Sequence, residues 1–239
     1  MEKLHDQLTR LRLHGMARRL HELRQTKQHH DLSFNDGLQL LLQSEEEDRD
    51  NRRFSRLRKR ATFRYQASLE EISFDSKRGL DKSLIIELGT SGYLTKGESI
   101  MITGPTGCGK SYLASALGHQ ACQLGFRVGY YNMQKLLMRT KMCRADGTIL
   151  KFMERLAKTD LLILDDFGLT HLDRQQQLDL MEIIEDRHGK KSTIVASQLP
   201  IGSWFDVIGE ETIADAILDR LINTSYRIEL KGESLRKKK

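Results

Sequence analysis

Residues Gly104 to Ser111 read GPTGCGKS, and each residue type in that order has a task that phosphate chemistry requires. Gly104, Gly109, Lys110 and Ser111 satisfy the spacing G-x-x-x-x-G-K-[ST], with Pro105, Thr106, Gly107 and Cys108 between the glycines and Tyr112 directly after. Glycines let successive backbone N–H groups converge on one anion, and the helix that follows adds its positive N-terminal end. Lys110 is placed to reach the β- and γ-phosphates and Ser111 to hold Mg²⁺ through its hydroxyl, so the pattern predicts ATP and Mg²⁺ as bound species.

Three further places carry candidate chemistry. LLILDD, Leu161 to Asp166, is an apolar run ending in two acids. Asp165 at the strand's end would hold Mg²⁺ through water, and Asp166 would polarise an attacking water as general base. Acids at a strand end are also ordinary turn residues, but they gain weight behind a phosphate loop. TIVASQLP, Thr193 to Pro200, is a second apolar run; Gln198 at its end either faces the γ-phosphate or merely terminates a strand stopped by Pro200. Arg220, among the apolar positions Ile217, Leu218 and Leu221, is either a surface ion-pair partner of Asp219 or Glu211, or an arginine finger for a neighbouring subunit.

These residues need strands to carry them. After Gly97 short apolar runs alternate with longer helical segments, the pattern of an α/β domain with a parallel sheet. The expected strands are 99–103, 127–132, 161–165, 193–197 and 226–230, with a helix after each of the first four. Upstream, Leu4, Leu8, Leu11, Met16, Leu20 and Leu23 form one apolar stripe, read as a single helix ending near Thr26 to His30. Ser33 and Asp36 resemble a capping box that opens a second helix from about Phe34 to Arg60. Acids at Glu45 to Asp48 precede its bases, the order the helix dipole favours. Residues 61–82 read as linker.

With 38% hydrophobic and 30% charged residues over 239 positions, the chain has a globular balance, and its length suits one main domain plus an appendage. No apolar run approaches the roughly 18 to 20 residues that span a bilayer, and Glu2 and Asp6 interrupt the stretch a signal peptide needs. The expected setting is the cytoplasm, away from membranes. Cys108, Cys122 and Cys143 are too few and too dispersed for a zinc knuckle or disulfide framework, and are expected to be free thiols.

The net charge of +6 is unevenly spread. From Arg49 to Arg64 eight bases face Asp50 alone, a net +7, with Arg52, Arg53, Arg56, Arg58, Lys59 and Arg60 as candidate phosphate contacts. Lys135, Arg139, Lys141 and Arg144 form a second cluster. Phe54, Phe63 and Tyr65 lie among the first set and either touch nucleic acid or pack against the core. With no helix-turn-helix or zinc signature, binding would rest on phosphates and shape, giving double-stranded DNA with little sequence specificity.

GPTGCGKSYLASALGHQA, LLILDDFGL, TIVASQLPIGSW, ETIADAILDRLI and the N-terminal LRLHGMARRL together resemble AAA+ ATPases of the DnaC/IstB branch, and within it the IstB-like insertion-sequence ATPases. The resemblance covers nearly the whole chain; the stretch ending at Trp204 and that beginning at Ala214 are its most specific parts. It implies an AAA+ P-loop NTPase with a parallel five-stranded sheet flanked by helices, a small all-helical N-terminal domain and no room for the usual C-terminal helical lid. On this basis the expected divisions are residues 1–66 for a helical DNA- or partner-binding domain, 67–97 for a linker with a leading helix, and 98–239 for the ATPase domain.

The resemblance also implies ATP-dependent assembly into a ring or helix, DNA contact through the second basic cluster on the central face of that assembly, and an IstA-like transposase as partner. A helicase loader of the DnaC type is the nearest alternative. It makes Arg220 a trans-acting finger and Gln198 the sensor position. Two departures stand out. The second acid is Asp166 where glutamate is usual, which shortens the reach to water and keeps a weakly hydrolysing, ATP-switched scaffold in play. The second sensor arginine has no clear counterpart, Arg236 being a weak substitute. A small-molecule P-loop kinase is disfavoured because no arginine-bearing lid insertion is present.

Overall fold

The computed structural model describes residues 2–27, 30–74 and 78–235; Arg236 and the rest of the basic tail lie outside the described residues. The chain divides into two compact units, 1–56 and 57–239, upstream of the boundary at 66 expected from the sequence.

The first unit is helical. Instead of one N-terminal helix there are two, α1 (Glu2–Arg10) and α2 (His14–Gln25), because the chain turns at Arg12, which takes a left-handed φ of 60°. The apolar stripe is continuous in sequence but not in space, and Leu11 is left 68% exposed. The third helix, α3 (Phe34–Ala61), matches its expected extent. Its buried Glu45 accepts hydrogen bonds from the Gly15 and Met16 amides at 2.8 and 3.3 Å, capping α2, whose own N-cap residue Leu13 offers no acceptor. Gly15 is obligatory here, since a Cβ would collide with the Ser44 carbonyl.

Glu45 is neutralised by Arg49 at 2.8 Å and Arg52 at 3.6 Å, and Asp48 by Arg52 and Arg18 at 2.8 and 3.2 Å. Burial opposes the charge on Glu45, but the Arg49 bond and the two amides hold its pKa below the usual value. Arg52, a candidate phosphate contact, is thereby engaged within its own helical unit.

The second unit is built on a five-stranded parallel sheet: β1 (Ser99–Thr103), β2 (Val128–Asn132), β3 (Leu161–Phe167), β4 (Ser192–Ser197) and β5 (Ser225–Glu229), in the order β2-β3-β4-β1-β5. Every residue of β1 and β4 is buried, as strands covered on both faces require. The helices are α4 (Lys82–Gly89), α5 (Gly92–Lys96), α6 (Lys110–Gln123), α7 (Met133–Ala145), α8 (Ile149–Ala157), α9 (Arg174–Arg187), α10 (Trp204–Ile208) and α11 (Glu211–Ile222). Two helices rather than one follow β2, and two follow β4. Helices α7, α8, α9 and α11 bury Leu136, Phe152, Ile183 and Ile217 in one core with Leu162 and Leu164 of β3, while α6 covers the sheet's other face.

Trp204, wholly buried, packs against Phe167 at 4.7 Å between ring centres and donates its indole N–H to the Leu199 carbonyl at 3.2 Å. This anchors the turn after β4. No α-helix follows β5 among the described residues, and Leu235 donates its amide to Gly107 at 3.0 Å. The three cysteines are free thiols, and burial pushes the Cys122 thiol up to about 12. Among the described residues no helix is long and apolar enough to cross a membrane.

Candidate active site

A parallel sheet gathers the ends of its strands along one edge, so residues distant in sequence meet there. The phosphate loop leaves β1 and enters α6, with Gly109 as the helix's left-handed N-cap residue at φ 101°. Gly104 sits at φ 143°, where a side chain is strained and its Cβ would strike the Leu230 carbonyl; the residue just after β5, pressed against the loop, therefore requires glycine. Lys110, 7% exposed, donates through Nζ to the Gly104 and Pro105 carbonyls at 2.7 and 2.8 Å. Thr106 donates its hydroxyl to Gln198 Oε1 at 2.6 Å, joining the loop to the end of β4. Ser197, just before it, is turned inward and bonds the Phe167 carbonyl, so Gln198 alone of the polar pair lines the cleft.

The acidic pair depends on an irregularity. Successive side chains of a regular strand point to opposite faces, which would separate Asp165 from Asp166. The pairing of β3 with β4 shifts register between Leu164 and Phe167, and Asp166 adopts a left-handed φ of 58°, a conformation Asp tolerates better than most residues. The strand thus continues past its expected end at Asp165, and both carboxylates turn toward the loop. Ser111 donates its hydroxyl to Asp165 Oδ1 at 2.9 Å, and the Asp166 amide donates to the same oxygen at 2.9 Å. Hydroxyl and carboxylate oxygens of this kind suit a hard cation, so Ser111 and Asp165 fit Mg²⁺.

Several contributors were not legible from local sequence. Tyr130 and Asn132 reach the acids because β2 lies beside β3, with Asn132 paired to Asp165. The Tyr130 hydroxyl donates to Asp165 Oδ2, and Asn132 Nδ2 to Asp166 Oδ2 at 2.9 Å. Burial, then the Asp165 charge, pushes the Tyr130 phenol's pKa up, so it remains a donor. From the segment read as linker, Arg64 and Tyr65 line the same cleft, Arg64 bonding both acids and Tyr65 lying beside Tyr112, while Arg78 supports the loop by donating to the Cys108 carbonyl at 2.9 Å. Tyr112 also donates to Glu71. Phe63 packs inward, stacked on His119 with ring centres 4.2 Å apart.

Other candidates are elsewhere. Arg220 is outside the cleft's lining; it pairs with Glu185 of α9 at 2.6 Å, not with Asp219 or Glu211, and donates to the Ala216 carbonyl at 2.8 Å. On α3, Arg56, Lys59 and Arg60 are exposed, and Arg53 and Arg58 make contacts of their own. On α7, Lys135 and Lys141 are exposed and Arg139 lies over the Phe152 ring at 5.3 Å.

Arg144 differs from its neighbours because its Nε donates to Asp179 at 3.0 Å, and the Asp179 side chain is only 2% exposed. Burial opposes that charge, but bonds from Arg144, Thr140 and Gln175 hold the carboxyl's pKa below the usual value. A phosphate contact would have to compete with a buried acid. Arg144→Ala should therefore lower unfolding free energy by about 2 kcal/mol, against less than about 0.5 kcal/mol for Lys141→Ala. Equal, small losses in urea melts would show that the Asp179 pair carries no stability.

The chain matches the family model for IstB-like ATP binding protein over residues 6–239. It is 41% identical over 232 residues to the insertion sequence ATP-binding protein y4pL of Sinorhizobium fredii, covering 97% of this chain and 95% of that protein. It is 44% identical over 196 residues to the ATP-binding protein of insertion sequence IS1162 from Pseudomonas fluorescens, covering 82% and 85%. Among solved structures it superposes on DnaI with a TM-score of 0.61 at 20% identity, covering 70% of this chain and 92% of that one. The DnaC helicase loader gives 0.56 at 21%, covering 70% and 98%, and AMPPCP-bound DnaA from Aquifex aeolicus 0.60 at 23%, covering 73% and 53%. At these identities the structural likeness establishes the AAA+ fold alone.

Proposed function

The chain belongs to the IstB-like ATP-binding protein family, and from that premise we propose that it is an ATPase that assembles on target DNA and delivers that DNA to a partner transposase. The observation that carries the ATPase part is the hydrogen bond between Ser111 of the phosphate loop and Asp165 of β3, which joins the loop to the acidic pair in one cleft with Gln198. Loop amides and Lys110 bind and orient the phosphates. Ser111 and Asp165 would hold Mg²⁺, which would neutralise charge on the phosphate oxygens. Asp166, oriented by Asn132, accepts the proton of the attacking water, and Gln198, fixed by Thr106, orients that water.

The two acids should separate cleanly. Asp165→Asn is expected to weaken Mg²⁺-dependent nucleotide binding by about tenfold or more, whereas Asp166→Asn should leave binding within about twofold and slow hydrolysis by about 10² to 10⁴. Equal losses of affinity in both variants, measured with a fluorescent ATP analogue, would contradict these roles.

For DNA, the exposed bases of α3 and α7 are the proposed phosphate contacts. Lys59→Glu with Arg60→Glu, or Lys135→Glu with Lys141→Glu, should weaken duplex binding without changing ATP affinity. Each lost contact should lower the slope of log affinity against log salt by about 0.9. Unchanged slopes in both pairs would put DNA on another surface. The likeness to the DnaC helicase loader favours a helicase loader as the second reading; capture of the IstA-like transposase rather than a hexameric helicase, with ATP present, decides between them.

A further inference from the structure

Arg64 has no role in the nucleotide chemistry just described, yet it sits at its centre. Its Nη1 lies 3.2 Å from Asp165 Oδ2 and 3.0 Å from Asp166 Oδ2, so one guanidinium nitrogen bridges the two carboxylates. Asp165 is 1% exposed and Asp166 20%, whereas Arg64 is 40% exposed. Two acids brought together by the bulge in β3 repel one another, and a cation on both relieves that repulsion. Ser111, Tyr130, Asn132 and the Asp166 amide, which also hydrogen-bond the pair, are neutral.

The backbone around Arg64 is anchored on both sides, while its side chain is 40% exposed. Phe63 is stacked on His119, and the Tyr65 carbonyl is bonded to the His119 ring at 3.1 Å. A long, part-exposed side chain between two anchored residues is able to swing toward solvent without any rearrangement of the fold. A divalent ion on Asp165 and a guanidinium on the same carboxylate group would repel each other at a few ångströms, so the two cations exclude one another in part.

We infer that Arg64 is a built-in counter-ion for the Asp165–Asp166 pair that competes with Mg²⁺, so that loading of the metal–nucleotide complex displaces the Arg64 side chain. This rests on the assignment of Ser111 and Asp165 to Mg²⁺. It makes Arg64 a residue that sets the metal requirement: the site stays neutralised until metal and nucleotide arrive together.

The test is equilibrium binding of a fluorescent ATP analogue to the full chain, with free Mg²⁺ titrated upward from EDTA, for the wild type, Arg64→Gln and Arg64→Lys. Arg64→Gln should reach half-maximal binding at about tenfold lower free Mg²⁺, within the range of ordinary coupling between sites, with affinity in EDTA unchanged within about twofold. Arg64→Lys, a cation without the planar fork, should fall between. Because it keeps the charge it preserves the neutralised pair, so the comparison with wild type stands even if Arg64→Gln folds poorly. A midpoint that is unmoved or raised in either variant overturns the inference, as does a loss of affinity in EDTA, which would make Arg64 a phosphate ligand. If the wild type itself binds the analogue without regard to Mg²⁺, the metal assignment fails and takes this inference with it. If the wild type needs Mg²⁺ and the Arg64 variants need as much, only the role of Arg64 falls.

Discussion

Replacing Lys110 with alanine is expected to reduce ATP affinity by about two to three orders of magnitude while leaving the fold intact. The ammonium group is almost wholly enclosed and tethered to the Gly104 and Pro105 carbonyls, so it is held beside the loop before any phosphate arrives. Removing one partner of an enclosed, hydrogen-bonded charge pair costs about 2 to 5 kcal/mol, and each 1.4 kcal/mol is a factor of ten in affinity. The two carbonyls left behind lie on a loop at the protein surface, where water replaces the lost donor. Titration calorimetry should therefore report a large loss of binding, and thermal melting a small change. An affinity within about fivefold of the wild type would remove the phosphate loop from the mechanism.

On the reading that Arg220 is a finger for a neighbouring subunit's site, Arg220→Ala is expected to cut turnover by about 10³-fold or more with ATP affinity little changed, because such a finger neutralises charge that develops only in the transition state. Within its own chain Arg220 is held by Glu185, a pair in which the arginine is 28% and the glutamate 56% exposed. A pair that open to water contributes at most about 1 kcal/mol, so a purely structural role predicts a small loss of stability and a comparably small loss of rate. The trans reading predicts the small first and the large second. It also predicts that Glu185→Gln, which frees the guanidinium, leaves turnover intact. The decisive experiment mixes Arg220→Ala, whose own nucleotide site is whole, with Lys110→Ala, whose finger is whole. Some interfaces of a mixed assembly then pair a good finger with a good site, and activity returns in part. A mixture that stays inactive while the two variants co-assemble would confine Arg220 to its own subunit. Head-to-tail contacts of this type close into rings or extend as helical filaments, so ATP should promote assembly in the wild type.

The features legible in the sequence are those encoded by neighbouring residues. The phosphate loop is a contiguous pattern whose spacing defines its geometry, and β1 and α6 on either side of it follow from an apolar run and an unbroken helical stretch. The buried strands show as short apolar runs, and α3 as a long stretch without Gly or Pro after its first turn. The elements of the site that escaped such reading depend on what lies beside what. Two adjacent acids read as a strand end, but only the shifted register against β4 and the left-handed turn at Asp166 bring both onto one side. Tyr130 and Asn132 join them because β2 occupies the sheet edge next to β3, which no local periodicity encodes.

Charge was the least transferable signal. The basic run from Arg49 to Arg64 looks uniform in sequence, yet the structure sends Arg49 and Arg52 to the buried acids of α3 and Arg64 to the Asp165–Asp166 pair. Arg144 likewise belongs to Asp179 of α9. The N-terminal stripe breaks into two helices for the same reason: the amides that open α2 find their acceptor in Glu45, a residue thirty positions from Gly15. The sequence by itself determined the phosphate-binding chemistry and the alternation of strands and helices, because both rest on contacts within a few residues. Only the tertiary structure decided which carboxylates face the phosphate loop and which arginines are drawn to acids, because a buried acid takes whichever cation the fold brings within hydrogen-bonding distance.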